Sequence, residues 1–279
     1  MSTERHILGL SGGRDSAALA VYMRQYRPEL PIEYFFTDTG KELPEVYAFL
    51  DRLEGILGKP IVRLNPDRGF DFWLDEYGNF LPSPRTRWCT RQLKLRPLEH
   101  WLRDDLEAGV RVHSYVAIRS DETHREGYQA THPNMIVHLP LREASIDRAG
   151  VIDILVQADV GEPDYYQWRS RSGCTFCFFQ QKIEWVRLAE HHPDAFAEAV
   201  AYEKTALKDG SPFTWSHGES LPELIRPERV AQIKADYEKR RERLRRSRPV
   251  NPLSAKSTET IDDVYGIDET AGGCVICHK

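Results

Sequence analysis

The residues of this chain best equipped for chemistry are its five cysteines: Cys89 alone, Cys174 and Cys177 as one Cys-x-x-Cys, Cys274 and Cys277 as another. Two thiolates at this spacing can chelate one metal ion or two irons of a single cluster. Tyr165, Tyr166, Trp168, Phe176, Phe178 and Phe179 around the first pair would give such a centre a dry shell. One Cys-x-x-Cys reads equally well as a redox dithiol or as chance, but a second shifts the balance to metal. The 96 residues between the pairs exceed the spacing of a zinc ribbon, so the pairs must meet through the fold.

A second candidate is Ser11-Gly12-Gly13-Arg14-Asp15-Ser16, which follows the apolar run His6 to Leu10 and opens a helical pattern. Backbone N–H groups at such a turn, together with the helix N-terminus, form an anion cradle for phosphate. The glycines allow close approach, Ser11 and Ser16 add hydroxyl donors, and Asp15 either places a magnesium ion or caps the helix. No Gly-Lys-Ser/Thr follows, so this is not a Walker loop. Phe36-Thr37-Asp38-Thr39-Gly40, with Glu42 and Pro44, closes the next strand as a polar turn or a nucleotide contact.

Further cationic chemistry lies between Arg85 and Leu98, where Arg85, Arg87, Arg91, Lys94 and Arg96 surround Cys89. Such charge is expected to lower a thiol pKa and to grip anions. Arg119, Asp121, Glu122 and Arg125 follow a further strand, with Arg119 and Arg125 placed to neutralise phosphates and Glu122 to fix their geometry.

The elements that must position these groups read as an α/β fold. Strands are expected at His6 to Leu10, Pro31 to Thr37, Ile61 to Leu64, Arg111 to Ile118 and Met135 to Leu139. Helices are expected at Ser16 to Arg27, Pro44 to Leu57 and Lys94 to Leu106 between them. An open sheet of this kind binds ligands at the carboxyl ends of its strands, where both polar segments fall. From Glu143 onward helices dominate: Val151 to Ala158, Gln181 to His191, Pro193 to Lys208 and Arg226 to Arg246. Three parts follow: residues 1–142 as an α/β domain, 143–248 as a helical region carrying a Cys-x-x-Cys, and 249–279 as a polar, turn-rich tail ending in the second.

Composition limits the alternatives. The 279 residues carry 38 Lys+Arg against 43 Asp+Glu, and 38 − 43 gives a net charge of −5. This argues against binding nucleic acid with the whole surface while leaving room for a local patch such as the basic run from Glu238 to Arg248. That run reads first as a solvated helix end. No stretch approaches the ~20 apolar residues of a membrane span, and the N-terminus lacks the pattern of a signal peptide. A cytoplasmic location without membrane contact is expected. An odd number of cysteines in a reducing compartment also disfavours a disulfide framework.

Taken as a set across roughly residues 5 to 200, these motifs resemble a known superfamily. Ser11 to Ser16 is similar to the Ser-Gly-Gly-x-Asp-Ser loop of the PP-loop ATP pyrophosphatases. Asp38-Thr39-Gly40, Cys89-Thr90 with Leu93-Lys94 and Pro97, Ile118-Arg119 with Asp121-Glu122, and Gly173-Cys174 with Cys177 resemble, in order, elements of the PAPS reductases. The resemblance implies an adenine-nucleotide α-hydrolase-like parallel sheet flanked by helices. It implies ATP with Mg²⁺ held by Ser11, Gly12, Gly13, Asp15, Ser16, Asp38, Arg119 and Arg125, with Asp15, Lys94, Arg119 and Cys89 in catalytic roles. Within the superfamily the chain looks most like the ATP pyrophosphatases of DNA phosphorothioation. That likeness implies a 4Fe-4S cluster, with zinc as the alternative, a cysteine desulfurase as sulfur source, and DNA or a DNA-binding complex as partner. Trp88 stands where adenylyl-sulfate reductases have the first of a Cys-Cys pair. Two ligand sets follow: Cys174, Cys177, Cys274 and Cys277 with Cys89 free, or Cys89, Cys174, Cys177 and one tail cysteine. The resemblance favours the second. A reductase releasing sulfite is the competing activity.

Overall fold

The computed structural model describes residues 3–123, 125, 132–210, 214–216 and 218–247. The tail 249–279 with Cys274 and Cys277, together with Arg248 and Phe213, lies outside the described residues.

Five strands form one parallel sheet: β1 (Glu4–Gly9), β2 (Ile32–Thr37), β3 (Ile61–Leu64), β4 (Arg111–Tyr115) and β5 (Met135–His138). Their order is β3-β2-β1-β4-β5, and all four neighbouring pairs run parallel. The α/β expectation holds. β1 is central, and adjacent Ile7 and Leu8 are both fully buried because helices cover both faces of the sheet. Leu8, Tyr34, Phe36 and Tyr115 face the larger core. Ile7, Phe35, Leu64 and Val112 face a smaller one built with Leu102.

The helices are α1 (Arg14–Tyr26), α2 (Pro44–Leu57), α3 (Phe70–Glu76), α4 (Trp88–Thr90), α5 (Arg96–Glu107), α6 (Pro140–Glu143), α7 (Arg148–Gln157), α8 (Lys182–His191), α9 (Pro193–Lys208), α10 (Leu221–Leu224) and α11 (Pro227–Ser247). Expected boundaries at α2, β3 and α9 coincide with the observed ones. α3 was not expected from the sequence: it is a short, aromatic-rich helix that stands on Phe70 and Leu74. α5 extends an already helical segment, because Trp88 to Thr90 leads into a π turn at Arg91–Leu95. Pro97 has no N–H to offer Leu93, and the turn before it widens, with Arg96 N–H donating to Arg91 O. β4 stops at Tyr115, short of the expected Ile118. Val116 still donates to His138 O at 3.0 Å, but Ile118 then turns back to Val116 O. α7 starts earlier than its apolar periodicity, since Asp147 caps it by accepting Gly150 N–H at 3.0 Å. Trp185 and Trp215 lie in the core, at 0% and 3% exposure.

Candidate active site

The strand order reverses direction between β1 and β4, so the chain leaving β1 and the chain leaving β4 diverge above the sheet and open a crevice. The glycine loop follows β1 and Arg119 follows β4. The topology alone therefore brings these segments, a hundred residues apart in sequence, to one edge.

In the loop, Gly12 has φ +70°, and a Cβ there would lie 2.5 Å from Val46 Cγ1. Only glycine combines that backbone with that approach of α2. Gly13 occupies the N-cap position of α1 without a side-chain cap, which corrects the capping role offered for Asp15. Asp15 instead lies in the first turn and takes Arg119 Nη1 at 3.2 and 3.1 Å on its two oxygens. Ser16 Oγ donates to Gly13 O at 3.2 Å and accepts Ser11 N–H at 3.1 Å, so it braces the loop from within.

Arg119 is 7% exposed. Burial opposes its charge, yet Asp15 and Asp121 more than restore it and raise its pKa. Its Nε donates to Asp121 at 2.9 Å and its backbone N–H to Glu122 Oε2 at 3.0 Å. Glu122 also pairs with Arg125. Arg142 ties the turn down by donating to Glu122 O at 2.8 Å and Arg125 O at 2.5 Å.

The first Cys-x-x-Cys docks on the loop after β2. Thr175 N–H and Oγ1 both donate to Lys41 O, at 2.7 and 2.8 Å. Arg169, 1% exposed, holds the turn from below through Gly173 O and Cys174 O at 3.0 and 2.6 Å. Cys174 Sγ thereby sits 3.3 Å from Thr39 Oγ1 and 3.7 Å from Glu42 Oε1. The same Glu42 oxygen accepts Thr39 Oγ1 at 3.1 Å and faces Lys94 Nζ at 4.0 Å. Asp38 is engaged in its own loop, accepting Gly40 N–H and the Tyr47 hydroxyl, both at 2.8 Å.

Cys89 joins this group. Burial pushes its thiol up to about 12, with Cys177 adding to the rise and Lys94 opposing it. The expected lowering by neighbouring cations is thus corrected: in a desolvated position the cost of charging sulfur outweighs one partly screened ammonium. Cys174 is likewise raised well above the ordinary thiol value, first by burial and then by Glu42 and Cys177. The three residues Cys89, Cys174 and Cys177 carry free thiols within electrostatic reach of one another. Among the described residues no set of three or more His, Cys, Asp or Glu converges as a metal cage. Half-buried thiols suit a thiolate-bound metal in donor type, but the described residues do not bring Cys89, Cys174 and Cys177 together as a cage.

Sequence reasoning missed the residues that join thiols to loop. Tyr165 OH donates to Gly12 O at 2.7 Å, and Tyr166 OH accepts Arg14 N–H at 3.4 Å. Ser172 Oγ donates to Ser11 Oγ at 3.2 Å. Their only signal was the density of aromatic residues near Cys174.

Residues 5–129 match the family model of the phosphoadenosine phosphosulfate reductase domain, which covers the glycine loop, Asp38, Cys89, Lys94, Arg119 and Arg125. The match lies within the N-terminal α/β part and covers less than half of the chain. A curated relative, Uncharacterized protein MJ0066 of Methanocaldococcus jannaschii, is 33% identical over 119 residues, which is 42% of this chain and 23% of that protein. The chain therefore spans about a quarter of the length of that relative. A crystal structure of phosphoadenylyl-sulfate reductase from Candida auris, in a phosphate complex, superimposes with a TM-score of 0.48 at 14% identity, covering 61% of this chain and 81% of that one.

Proposed function

We propose that the chain is an ATP pyrophosphatase that splits ATP into AMP and pyrophosphate to activate an acceptor, the DNA backbone, for sulfur incorporation. The observation that carries this reading is the seating of a thiol-bearing segment directly on an anion-binding glycine loop, through Ser172, Tyr165 and Tyr166. In the proposed reaction an acceptor oxygen bonds to the α phosphorus, the α–β anhydride bond breaks and pyrophosphate leaves with its charge; sulfide-level sulfur then bonds to the acceptor and displaces that oxygen as part of AMP. In this reading the N-terminus of α1 and Arg119 would meet that charge, and Asp15 would hold Mg²⁺ beside it. Lys94 and Arg125 add positive potential at the same edge.

Cys89, Cys174, Cys177 and one of Cys274 and Cys277 would hold an iron-sulfur cluster, or zinc, supplying a sulfur-handling centre next to the nucleotide. A cysteine desulfurase is the proposed sulfur donor, in the cytoplasm. Among the described residues no helix is long and apolar enough to cross a membrane.

A second reading, reduction of PAPS or adenylyl sulfate to sulfite, is favoured by the family model that matches residues 5–129. Product analysis on anaerobically purified protein separates the two. AMP with pyrophosphate from ATP supports the first, thioredoxin-dependent sulfite from adenylyl sulfate replaces it with the second, and neither product overturns both.

A further inference from the structure

Three hydroxyl groups from two distant segments converge above Gly13. A Cβ built on Gly13 would lie 2.9 Å from Ser172 Oγ, 3.2 Å from Tyr166 OH and 3.3 Å from Ser11 Oγ. Ser11 belongs to the loop itself, while Ser172 and Tyr166 come from the segment that carries Cys174 and Cys177. Ser172 and Ser11 are already 3.2 Å apart, and Ser172 stands only two residues before Cys174. Tyr166 is held in place by the Arg14 guanidinium, which lies 4.5 Å from the centre of its ring while pairing with Glu162 at 2.9 Å.

Hydroxyls are versatile hydrogen-bonding groups whose protons rotate to suit an incoming acceptor. Three of them, partly exposed and gathered over the N-terminus of a 13-residue helix, offer donors to the same anion that the backbone N–H groups address. We infer that Ser172 and Tyr166 complete the phosphate cradle, so that the nucleotide is gripped at once by the glycine loop and by the thiol-bearing segment. The inference rests on the reading of the loop as a nucleotide site and adds a specificity-determining contact to it. It also means that phosphate binding fixes the turn from which Cys174 projects.

The test is calorimetric titration of the full chain, purified anaerobically, with Mg-ATP and separately with adenosine. Ser172→Ala is expected to weaken ATP about 3- to 10-fold, the range for one lost hydrogen bond, and to leave adenosine unchanged. Ser172→Thr, which keeps the hydroxyl, is expected to retain affinity, and Tyr166→Phe to lose ATP affinity selectively. Losses from Ser11→Ala and Ser172→Ala should be non-additive, because both touch one anion. If Ser11→Ala weakens ATP while Ser172→Ala does not, this inference fails and the loop reading stands. Equal losses for ATP and adenosine in Ser172→Ala would mark a merely structural role and overturn it. Failure of the unaltered protein to bind ATP removes the loop reading, and this inference falls with it.

Discussion

Arg119 Nη1 bridges both carboxylate oxygens of Asp15 at 3.1 and 3.2 Å, closing an ion pair across the point where the sheet reverses its strand order. The cation proposed for a nucleotide phosphate and the carboxylate proposed for its metal thus neutralise each other. Neither is left as a bare charge in a desolvated crevice.

From this pairing, Arg119→Ala and Asp15→Ala are each expected to lower pyrophosphate release by about 10²-fold or more, the scale of losing one preorganised charge-stabilising group. Steady-state kinetics with pyrophosphate detection checks it. A lowered melting temperature with unchanged kcat and KM would assign the pair to stability alone.

Gly12→Ala is expected to destabilise the fold by about 1–3 kcal/mol, from positive-φ strain and from overpacking against Val46. Urea unfolding measures this. Measured in a Val46→Ala background, the cost of Gly12→Ala should shrink to the backbone share, because the 2.5 Å approach is to Val46 Cγ1.

The sheet carries a titrating cluster behind the site. His6, His113 and His138 stack across β1, β4 and β5 at ring distances of 4.8 and 5.1 Å, with Tyr115 OH 2.9 Å from His6 Nδ1. His6 and His138 are held below their ordinary value of 6.5, by burial first and by His113 next, with Glu4 and Glu143 opposing in turn. The unfolded chain therefore binds these protons more readily than the native one. Stability is full above pH 6.5 and falls as pH drops toward the native values. Melting temperature is expected to decline between pH 7.5 and 5.5, and His138→Asn should flatten the decline. An unchanged slope in that variant would remove the cluster as its cause.

Metal content gives a fourth expectation. Anaerobically purified protein is expected to contain thiolate-bound metal, visible as broad iron-sulfur absorption or, for zinc, by elemental analysis. Cys89→Ser, Cys174→Ser and Cys177→Ser should each lower its stoichiometry. Full retention in Cys89→Ser would select the ligand set made of the two Cys-x-x-Cys pairs.

Much of the scaffold was legible because its signals are local. The apolar runs of β1, β2 and β3 and the periodicity of α2 and α9 are written within single elements. Pro44 and Pro193 also mark where their helices start. What escaped was set by contacts. α3 holds together through Phe70, whose ring lies 5.1 Å from Trp88 and 5.0 Å from Phe176, partners that its own seven residues do not reveal. The pKa of Cys89 also escaped, since a row of cations in sequence says nothing about how deeply the sulfur is buried.

The sequence by itself determined which chemistry is present: a glycine turn with hydroxyl and carboxylate neighbours, soft thiols in pairs, and arginines at strand ends. Residue type and short spacing are enough to specify those capacities. Only the tertiary structure decided how they combine. The 3-2-1-4-5 strand order placed Arg119 on Asp15, and burial raised the Cys89 thiol pKa where the cations in sequence would have lowered it. The chain's return past Tyr165 and Ser172 laid the thiol segment over the glycine loop. These are relations between residues 100 or more positions apart, and their energies depend on distance and desolvation, quantities that exist only once the chain has folded.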